Sequence, residues 1–264
     1  MKNPFVWIVV VLGIAGTAAI FYYRMQREVP AVRAPPTRAE APAPPTDTKA
    51  EPPILHPIEP AKDAKPLPAL TESDTALRES LTAVVGAKPF AEYFYPADII
   101  RRIVATVDNL PREKVALRLM PVKPVAGKFA VSGDGENFLI APDNAARYTA
   151  YVQLMEKVDT GKLVSAYAYF YPLFQQAYKE LGYPNRYFND RLVEVIDHLL
   201  ATPDMQGPVK LVRPKVFYEF ADPKLEQASA GRKIMIRMGP DNAARVKTKL
   251  KEIRQALTSQ GPKQ

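Results

Sequence analysis

The sequence contains no cysteine and only two histidines, His56 and His198, among its 264 residues. The absence of cysteine excludes disulfide bridges, thiolate metal ligands and a cysteine nucleophile. Two histidines are too few for a histidine-rich zinc site. The glycine patterns G-x-x-x-x-G-K, G-x-G-x-x-G and G-x-S-x-G do not occur either. We therefore expect no assignable catalytic residue, no metal site and no cofactor.

A long apolar run near the amino terminus predicts a membrane-spanning helix. Phe5 to Tyr23 are 19 consecutive uncharged residues, which as a helix reach about 28 Å, close to the roughly 30 Å hydrocarbon core of a bilayer. We therefore expect residues 1–24 to be a single-pass transmembrane anchor. A signal peptide cleaved near Thr17-Ala18-Ala19 is the alternative, although the apolar run continues past that site.

Two observations disagree about the orientation of this anchor. Lys2 precedes the run, whereas Arg24, Arg27 and Arg33 follow it, and the positive-inside rule then places the carboxyl-terminal side in the cytoplasm. The short amino-terminal tail, however, contains few other signals for the insertion machinery. A long spacer also suits a domain that acts far from the membrane. We expect the folded domain on the extracytoplasmic side.

Residues 25–69 form a spacer that contains 12 of the 27 prolines and no glycine. Proline-rich sequence favours the polyproline II conformation over a packed core. Fully extended, the spacer could reach roughly 140 Å. We expect a disordered but semi-rigid linker, in which His56 is solvated.

Residues 70–258 are predicted to form a compact, mainly helical domain of the α+β class, followed by a disordered tail at 259–264. Thr71 and Asp74 have the spacing of a capping box for a first helix that stops at Gly86. Gly133-Asp134-Gly135, between two short apolar runs, predicts one small β-hairpin, whereas 209–220 favours β structure but is interrupted by Pro214. Apolar periodicity and helix-start signals predict further helices over 96–109, 142–158, 162–181, 187–201 and 240–257.

The hexapeptide Pro-Asp-Asn-Ala-Ala-Arg occurs twice, at 142–147 and 240–245. A duplicated half-domain would produce such an echo. Proline followed by Asp-Asn and alanines is also a favourable helix start, and the surrounding residues do not match. The second interpretation is favoured.

Three long blocks resemble the bacterial family called domain of unknown function 3014. They read TVDNLPREKVALRLMPVKPVAGKFAVSGDGENF, YPLFQQAYKELGYPNRYFNDRLVEVIDHLLATP and MGPDNAARVK, and the resemblance covers roughly residues 70–255. It implies a membrane-anchored bacterial protein without an established activity, and no catalytic residues can be carried over. With the anchor, it places the chain in the bacterial inner membrane with its folded domain in the periplasm.

The densest polar cluster lies around the predicted 187–201 helix. Asp190, Glu194 and Asp197 fall at i, i+4 and i+7 on one face. Stacked carboxylates can form an acid/base pair or a cation site, whereas nearby arginines could instead neutralise the face. The candidate binding residues are Tyr183, Arg186, Tyr187, Asn189, Asp190, Glu194, Asp197 and His198.

Aromatic residues crowd the same region, with nine between Tyr167 and Phe188. Most share one helical stripe, which is typical of a core. Tyr169, Tyr183 and Tyr187 lie off that stripe, and exposed aromatic platforms bind sugars, bases or peptides. A glycan partner would suit a cell-envelope protein and is a second hypothesis for this cluster.

Nearly the whole net charge of +8 lies at the carboxyl-terminal end, since residues 231–264 hold nine basic and two acidic residues. Such a basic helix could meet an anionic lipid surface, a polyanion or an acidic partner, or could simply be a solvated face. The candidate basic surface consists of Arg245, Lys247, Lys249, Lys251 and Arg254.

These patterns favour a membrane-tethered, non-enzymatic binding or scaffold module of the cell envelope. Its expected partners are the membrane itself and an envelope protein or glycan. The alternative is a tethered enzyme or cation site that uses Asp190, Glu194 and Asp197. Nucleic-acid binding would require a cytoplasmic domain and is not expected.

Overall fold

The computed structural model describes residues 52–58 and 65–259. Short 3-10 turns occur at Leu70–Glu72, Leu117–Leu119 and Pro142–Ala145. The helices are α1 (Asp74–Val85), α2 (Ala87–Tyr93), α3 (Ile99–Asn109), α4 (Ala146–Lys157), α5 (Thr160–Glu180), α6 (Phe188–Leu200), α7 (Pro223–Glu226), α8 (Ala230–Arg237) and α9 (Pro240–Thr258). The strands are β1 (Val131–Ser132), β2 (Phe138–Ile140), β3 (Lys210–Val212) and β4 (Glu219–Phe220). The predicted mainly helical α+β class is confirmed.

None of the helices in the described ranges combines the length and apolarity needed to cross a bilayer. The predicted membrane-spanning run, Phe5 to Tyr23, lies outside these ranges, as do most of the predicted linker and the end of the predicted tail.

Helix α5 is the centre of the helical core, because α1, α3, α6 and α9 all pack against it. Its apolar residues recur on successive turns, so that Phe170, Phe174 and Tyr178 are all buried. The ring of Phe174 stacks on that of Phe188 at the start of α6, with centroids 5.9 Å apart. The aromatic stripe of this segment is therefore core.

A four-stranded antiparallel sheet in the order β1-β2-β3-β4 covers a smaller apolar cluster. The predicted hairpin is its first half, with Val131 opposite Ile140. Gly133 has φ +88°, and a Cβ there would lie 1.9 Å from the Asn137 carbonyl oxygen, so the turn requires glycine. The expectation of a single hairpin was incomplete. Pro214 does not interrupt a strand; it lies in the turn that joins β3 to β4.

The predicted capping box at Thr71 and Asp74 does not form. The carboxylate of Asp74 instead accepts hydrogen bonds from the main-chain N–H groups of Asp98 (2.8 Å) and Ile99 (2.9 Å) at the start of α3. Asp98 has a left-handed backbone, with φ +53°. A carboxylate at a helix amino terminus satisfies otherwise unpaired N–H groups and favours the helix dipole, so Asp74 ties α1 to α3.

The repeated hexapeptide begins two helical segments that pack on each other, at the starts of α4 and α9. The buried amide of Asn144 donates to the Arg237 carbonyl (2.7 Å), and that of Asn242 donates to the Ala145 carbonyl (2.9 Å). Each copy thus uses its asparagine to hold the backbone next to the other copy. This contact gives a structural reason for the repetition without requiring a duplicated half-domain.

Candidate functional site

The loop between α5 and α6 and the first turn of α6 bring together five of the predicted binding residues: Tyr183, Arg186, Tyr187, Asn189 and Asp190. Asn189 is fully buried, whereas Tyr187 and Asp190 are half-buried. The side chains of Tyr187, Asn189 and Asp190 face a segment of the predicted linker, residues 52–58, which we call the arm segment.

The arm segment is bound through its main chain. The Asp190 carboxylate accepts hydrogen bonds from the N–H groups of Leu55 (3.0 Å) and His56 (2.7 Å). The Asn189 amide donates to the His56 carbonyl at 2.9 Å, and the Tyr187 hydroxyl accepts from the Ile58 N–H at 2.9 Å. His56 was expected to be solvated, but it is half-buried, because these contacts hold its backbone against α6.

The prolines of the arm segment explain why side chains bind its main chain and why it does not pair with a β-strand. Proline has no N–H, and the residue before a proline is restricted to extended conformations. Pro57 therefore leaves only three N–H groups between residues 55 and 58, and all three are accepted by Asp190 and Tyr187. Ile58, only 5% exposed, then enters the main core. The segment is thus anchored by both polar and apolar contacts.

A second layer of side chains fixes the residues that hold the arm segment. The Tyr167 hydroxyl donates to Asn189 Oδ1 (3.2 Å), and the Tyr171 hydroxyl donates to Gln175 Oε1 (2.9 Å). Gln175 Oε1 also accepts the Phe188 N–H at 2.8 Å. Burial raises the pKa of both tyrosine hydroxyls, so they remain protonated donors. The amide of Asn189 is therefore held in the orientation that faces the arm segment.

The three carboxylates predicted on one helix face are engaged separately. Asp190 binds the arm segment, Glu194 pairs with Arg191 (2.9 Å), and Asp197 pairs with Arg254 on α9 (2.5 Å). Within the described ranges, no three His, Asp or Glu side chains lie close enough together to hold a metal ion. Arginines thus pair with two of the three carboxylates, whereas the third, Asp190, accepts main-chain N–H groups.

An ionic network beneath the loop was not anticipated. The carboxylate of Asp108, on α3, is almost completely buried and pairs with Arg112 (2.5 Å) and Arg191 (3.3 Å). The Tyr183 hydroxyl donates to the same carboxylate (3.2 Å), and its ring stacks on Tyr178. Tyr183 is therefore part of the scaffold that holds the α5–α6 loop. A buried acid inside an apolar helix face was the available signal, but two of its partners, Tyr183 and Arg191, lie more than 70 residues away in the chain.

His198 takes part in a different contact. Its Nε2 lies 2.7 Å from Ser229 Oγ, and this hydroxyl also accepts the Arg232 N–H and so caps α8. Burial, with Arg232 and Arg191 nearby, lowers the pKa of His198 and favours the neutral ring. Since Ser229 is buried and engaged in the cap, the pair has the character of a structural contact.

A groove of about 610 Å³ runs between the start of the arm segment and the α5–α6 loop. Its apolar wall is formed by residues 52–55, of which Ile54 and Leu55 are largely exposed. Lys179 and Arg186 supply positive charge on the opposite side, and Glu194 supplies negative charge. The groove is therefore amphipathic and open, which suits a peptide better than a small reacting substrate.

The predicted basic surface on α9 is largely neutralised. Arg245 pairs with Glu156, Lys247 with Asp204 (2.6 Å), Lys249 with Glu252 (3.0 Å) and Arg254 with Asp197 (2.5 Å). Lys247 also donates to the Thr202 carbonyl and is only 13% exposed. For Lys251, the described ranges contain no ion pair. Most of the charges expected to face solvent together are thus balanced locally by acidic residues.

Comparison with known proteins identifies one family. The model described as Protein of unknown function (DUF3014) matches residues 99–254, which is more than half of the chain. Searches of the curated proteins and of the solved structures gave no significant match. The matched range begins at α3 and ends within α9, so it contains the α5–α6 loop and the residues that hold the arm segment.

Proposed function

We propose a binding function for this chain, which belongs to the DUF3014 family of proteins of unknown function. Its helical domain acts as a non-enzymatic scaffold that binds extended, proline-containing segments against the start of α6. The arm segment, residues 52–58, occupies part of this site in the chain itself. We call the site, formed by Tyr187, Asn189 and Asp190, the arm site.

One observation carries this proposal. The Asp190 carboxylate accepts the main-chain N–H groups of two successive residues, Leu55 and His56, and the Asn189 amide donates to the carbonyl of His56. Hydrogen bonds to the main chain supply affinity without demanding a particular side chain, as in other modes of extended-peptide recognition. An ionised acceptor makes such bonds stronger than neutral ones. The arm site therefore recognises the shape and donor spacing of a peptide.

The proposal also includes the location of the domain. We place the anchor at Phe5 to Tyr23 in the bacterial inner membrane and the helical domain in the periplasm, joined by the proline-rich spacer. An envelope protein with an extended segment is the partner that fits the arm site best. A glycan is less well supported, because the aromatic rings of the cluster mostly pack in the core or hold Asn189 and Asp108.

The enzyme or cation-site alternative receives less support from the geometry. Asp190, Glu194 and Asp197 each have their own partner and do not converge on a shared space. A catalytic acid/base pair would require two carboxylates within reach of one substrate. Binding is the chemistry that these contacts favour.

The test is binding of a peptide in trans. In the replaced full-length chain, Leu55 and His56 are both changed to proline, so that the arm segment offers no N–H group to Asp190 while Ile58 stays in the core. A labelled peptide of sequence PPILHP should bind this replaced chain saturably in fluorescence anisotropy and should bind the wild-type chain more weakly.

Two substitutions in the replaced chain provide the comparison. Asp190→Asn should weaken binding by roughly 30-fold, about 2 kcal/mol, because the new amide cannot accept both N–H groups. Glu194→Gln, one helical turn away, should bind normally, because Glu194 contacts Arg191 and not the arm segment. Failure of the peptide to bind a replaced chain that melts like the wild type would refute the proposal.

A further inference from the structure

The tip of the β3–β4 hairpin exposes two adjacent apolar side chains. Val216 is 72% exposed and Phe217 is 81% exposed. Single exposed apolar residues are common on protein surfaces, but contiguous ones mark interaction sites. Val212, at the end of β3, is also exposed and extends the apolar surface. We call these three residues and the surrounding cations the hairpin patch.

Positive charge surrounds this apolar tip. Arg213 and Lys215 flank it in the turn, and a recess of about 480 Å³ beside Phe217 is bordered by Arg147 and Arg237. Aromatic rings complete the lining of the recess, and no carboxylate contributes to it. Among the residues that the structure describes, Arg213, Lys215 and Arg237 form no ion pair, in contrast to the basic residues of α9.

The guanidinium groups contact rings and carbonyls, and Arg237 also lies near the Glu226 carboxylate, which is paired with Lys233. Arg213 lies over the Tyr218 ring at 5.4 Å, and Arg237 lies over the Phe220 ring at 5.4 Å. Arg147 donates to the carbonyls of Ala126 and Gly127, both at 3.0 Å. Rings and carbonyls orient a cation without neutralising it. The patch is therefore an array of positive charge around an apolar tip.

From this combination we infer that the hairpin patch docks on the anionic surface of a phospholipid bilayer. Val216 and Phe217 enter the interfacial region, where an aromatic ring and an aliphatic side chain leave water, and the arginines and lysine face lipid phosphates. A nucleic acid would use the charges and could stack a base on Phe217, but it gives Val216 and Val212 no apolar environment. The inference is independent of the arm site.

The natural absence of cysteine allows a direct test on the full-length chain. Val216→Cys, labelled with an environment-sensitive fluorophore, is reconstituted into nanodiscs of phosphatidylcholine with or without phosphatidylglycerol. Glu136→Cys, in the turn of the other hairpin and also exposed, is the matched control. The probe at 216 should shift its emission to the blue and be quenched by spin-labelled lipid in anionic discs, whereas the probe at 136 should report water in both.

Charge and apolar contributions can then be separated. Arg213→Gln with Lys215→Gln should lower the inserted-to-free ratio of the probe by roughly 30-fold, since each cation near an anionic surface contributes about fivefold. Rising salt should also lower the inserted-to-free ratio of the probe. Phe217→Ser should also reduce insertion, and because the residue is exposed, the melting temperature should not change.

Four outcomes would overturn the inference. They are emission typical of water at position 216 in anionic discs, equal insertion in neutral and anionic discs, a blue shift without quenching by spin-labelled lipid, and a blue shift that appears in neutral discs only when single-stranded RNA is added. The third would assign the patch to a protein contact and the fourth to a nucleic acid.

Discussion

The contact between Asp190 and the arm segment makes a quantitative prediction. Asp190→Asn replaces an ionised double acceptor with a group that can accept only one of the two N–H groups and presents its own N–H to the other. A hydrogen bond to a charged group contributes about 1.5–3 kcal/mol. Because Leu55 is exposed and water can reach it, we take the lower part of this range and expect a loss of about 2 kcal/mol for the bound segment.

This loss should be local. Opening of Leu55 and His56 does not require Ile58 to leave the core, and about 2 kcal/mol corresponds to a roughly 30-fold larger open population. Amide hydrogen exchange at Leu55 and His56 should therefore accelerate roughly 30-fold in the full-length variant. Asp190 also lies in the first turn of α6, where a negative charge contributes about 0.5 kcal/mol to the helix. Loss of this small contribution should lower the melting temperature only slightly.

Glu194→Gln is the control, since it removes a charge one turn further along the same helix without touching the arm segment. Its exchange at Leu55 and His56 should equal that of the wild type. Unchanged exchange in Asp190→Asn would refute the reasoning, because the carboxylate would then not hold the segment. Uniformly faster exchange throughout α6 would also refute it, since the effect would be one of global stability.

Three further substitutions test the scaffold around the site by denaturant unfolding. Asp108→Asn removes the buried carboxylate that pairs with Arg112 and Arg191, leaves Arg191 only the exposed Glu194, and should cost about 3 kcal/mol; a loss below about 1 kcal/mol would mean that the network is no stronger than a surface pair. Asn144→Ala removes partners from two main-chain groups and should cost about 2 kcal/mol, whereas Asp143→Ala, at the exposed neighbouring position, should cost little. The lowered pKa of His198 means that the neutral ring contributes stability above the unfolded pKa of about 6.5, and this contribution is lost as the pH falls through the folded value. His198→Gln should therefore show a shallower decline in stability on acidification, and an unchanged decline would show that other groups cause it.

Local patterns were sufficient to predict most of the helices and the first hairpin. Helix α6 (Phe188–Leu200) was expected at 187–201, and its start follows from a proline-containing loop and a regular apolar stripe. The β3–β4 hairpin was missed because the six residues that join its short strands contain Pro214 and no glycine, whereas the equally short β1–β2 pair is marked by Gly133-Asp134-Gly135. Such short strands carry little periodicity, and their pairing depends on β2 as a neighbour.

The charge balance was harder to predict, because ion pairs join residues that are distant in sequence. The net charge of the carboxyl-terminal segment was correctly counted, yet its acid partners come from α4, α6 and the loop after α6, as Glu156, Asp197 and Asp204 show. A count along the chain cannot include those carboxylates. Unpaired positive charge accumulates instead around Phe217, where α4, α8 and the hairpin meet and no acid lines the recess.

The donor spacing of the arm segment defines what could compete for the arm site. Asp190 uses N–H groups at two consecutive residues, and Tyr187 uses the N–H two positions later. The position between them needs no N–H, and in this chain it is Pro57, whose ring also restricts His56 to an extended conformation. A competing segment must therefore offer N–H groups at its first, second and fourth positions and accepts proline at its third. Proline at the first or second position would leave one oxygen of the Asp190 carboxylate without its donor, so the site excludes unbroken polyproline while selecting proline in one register.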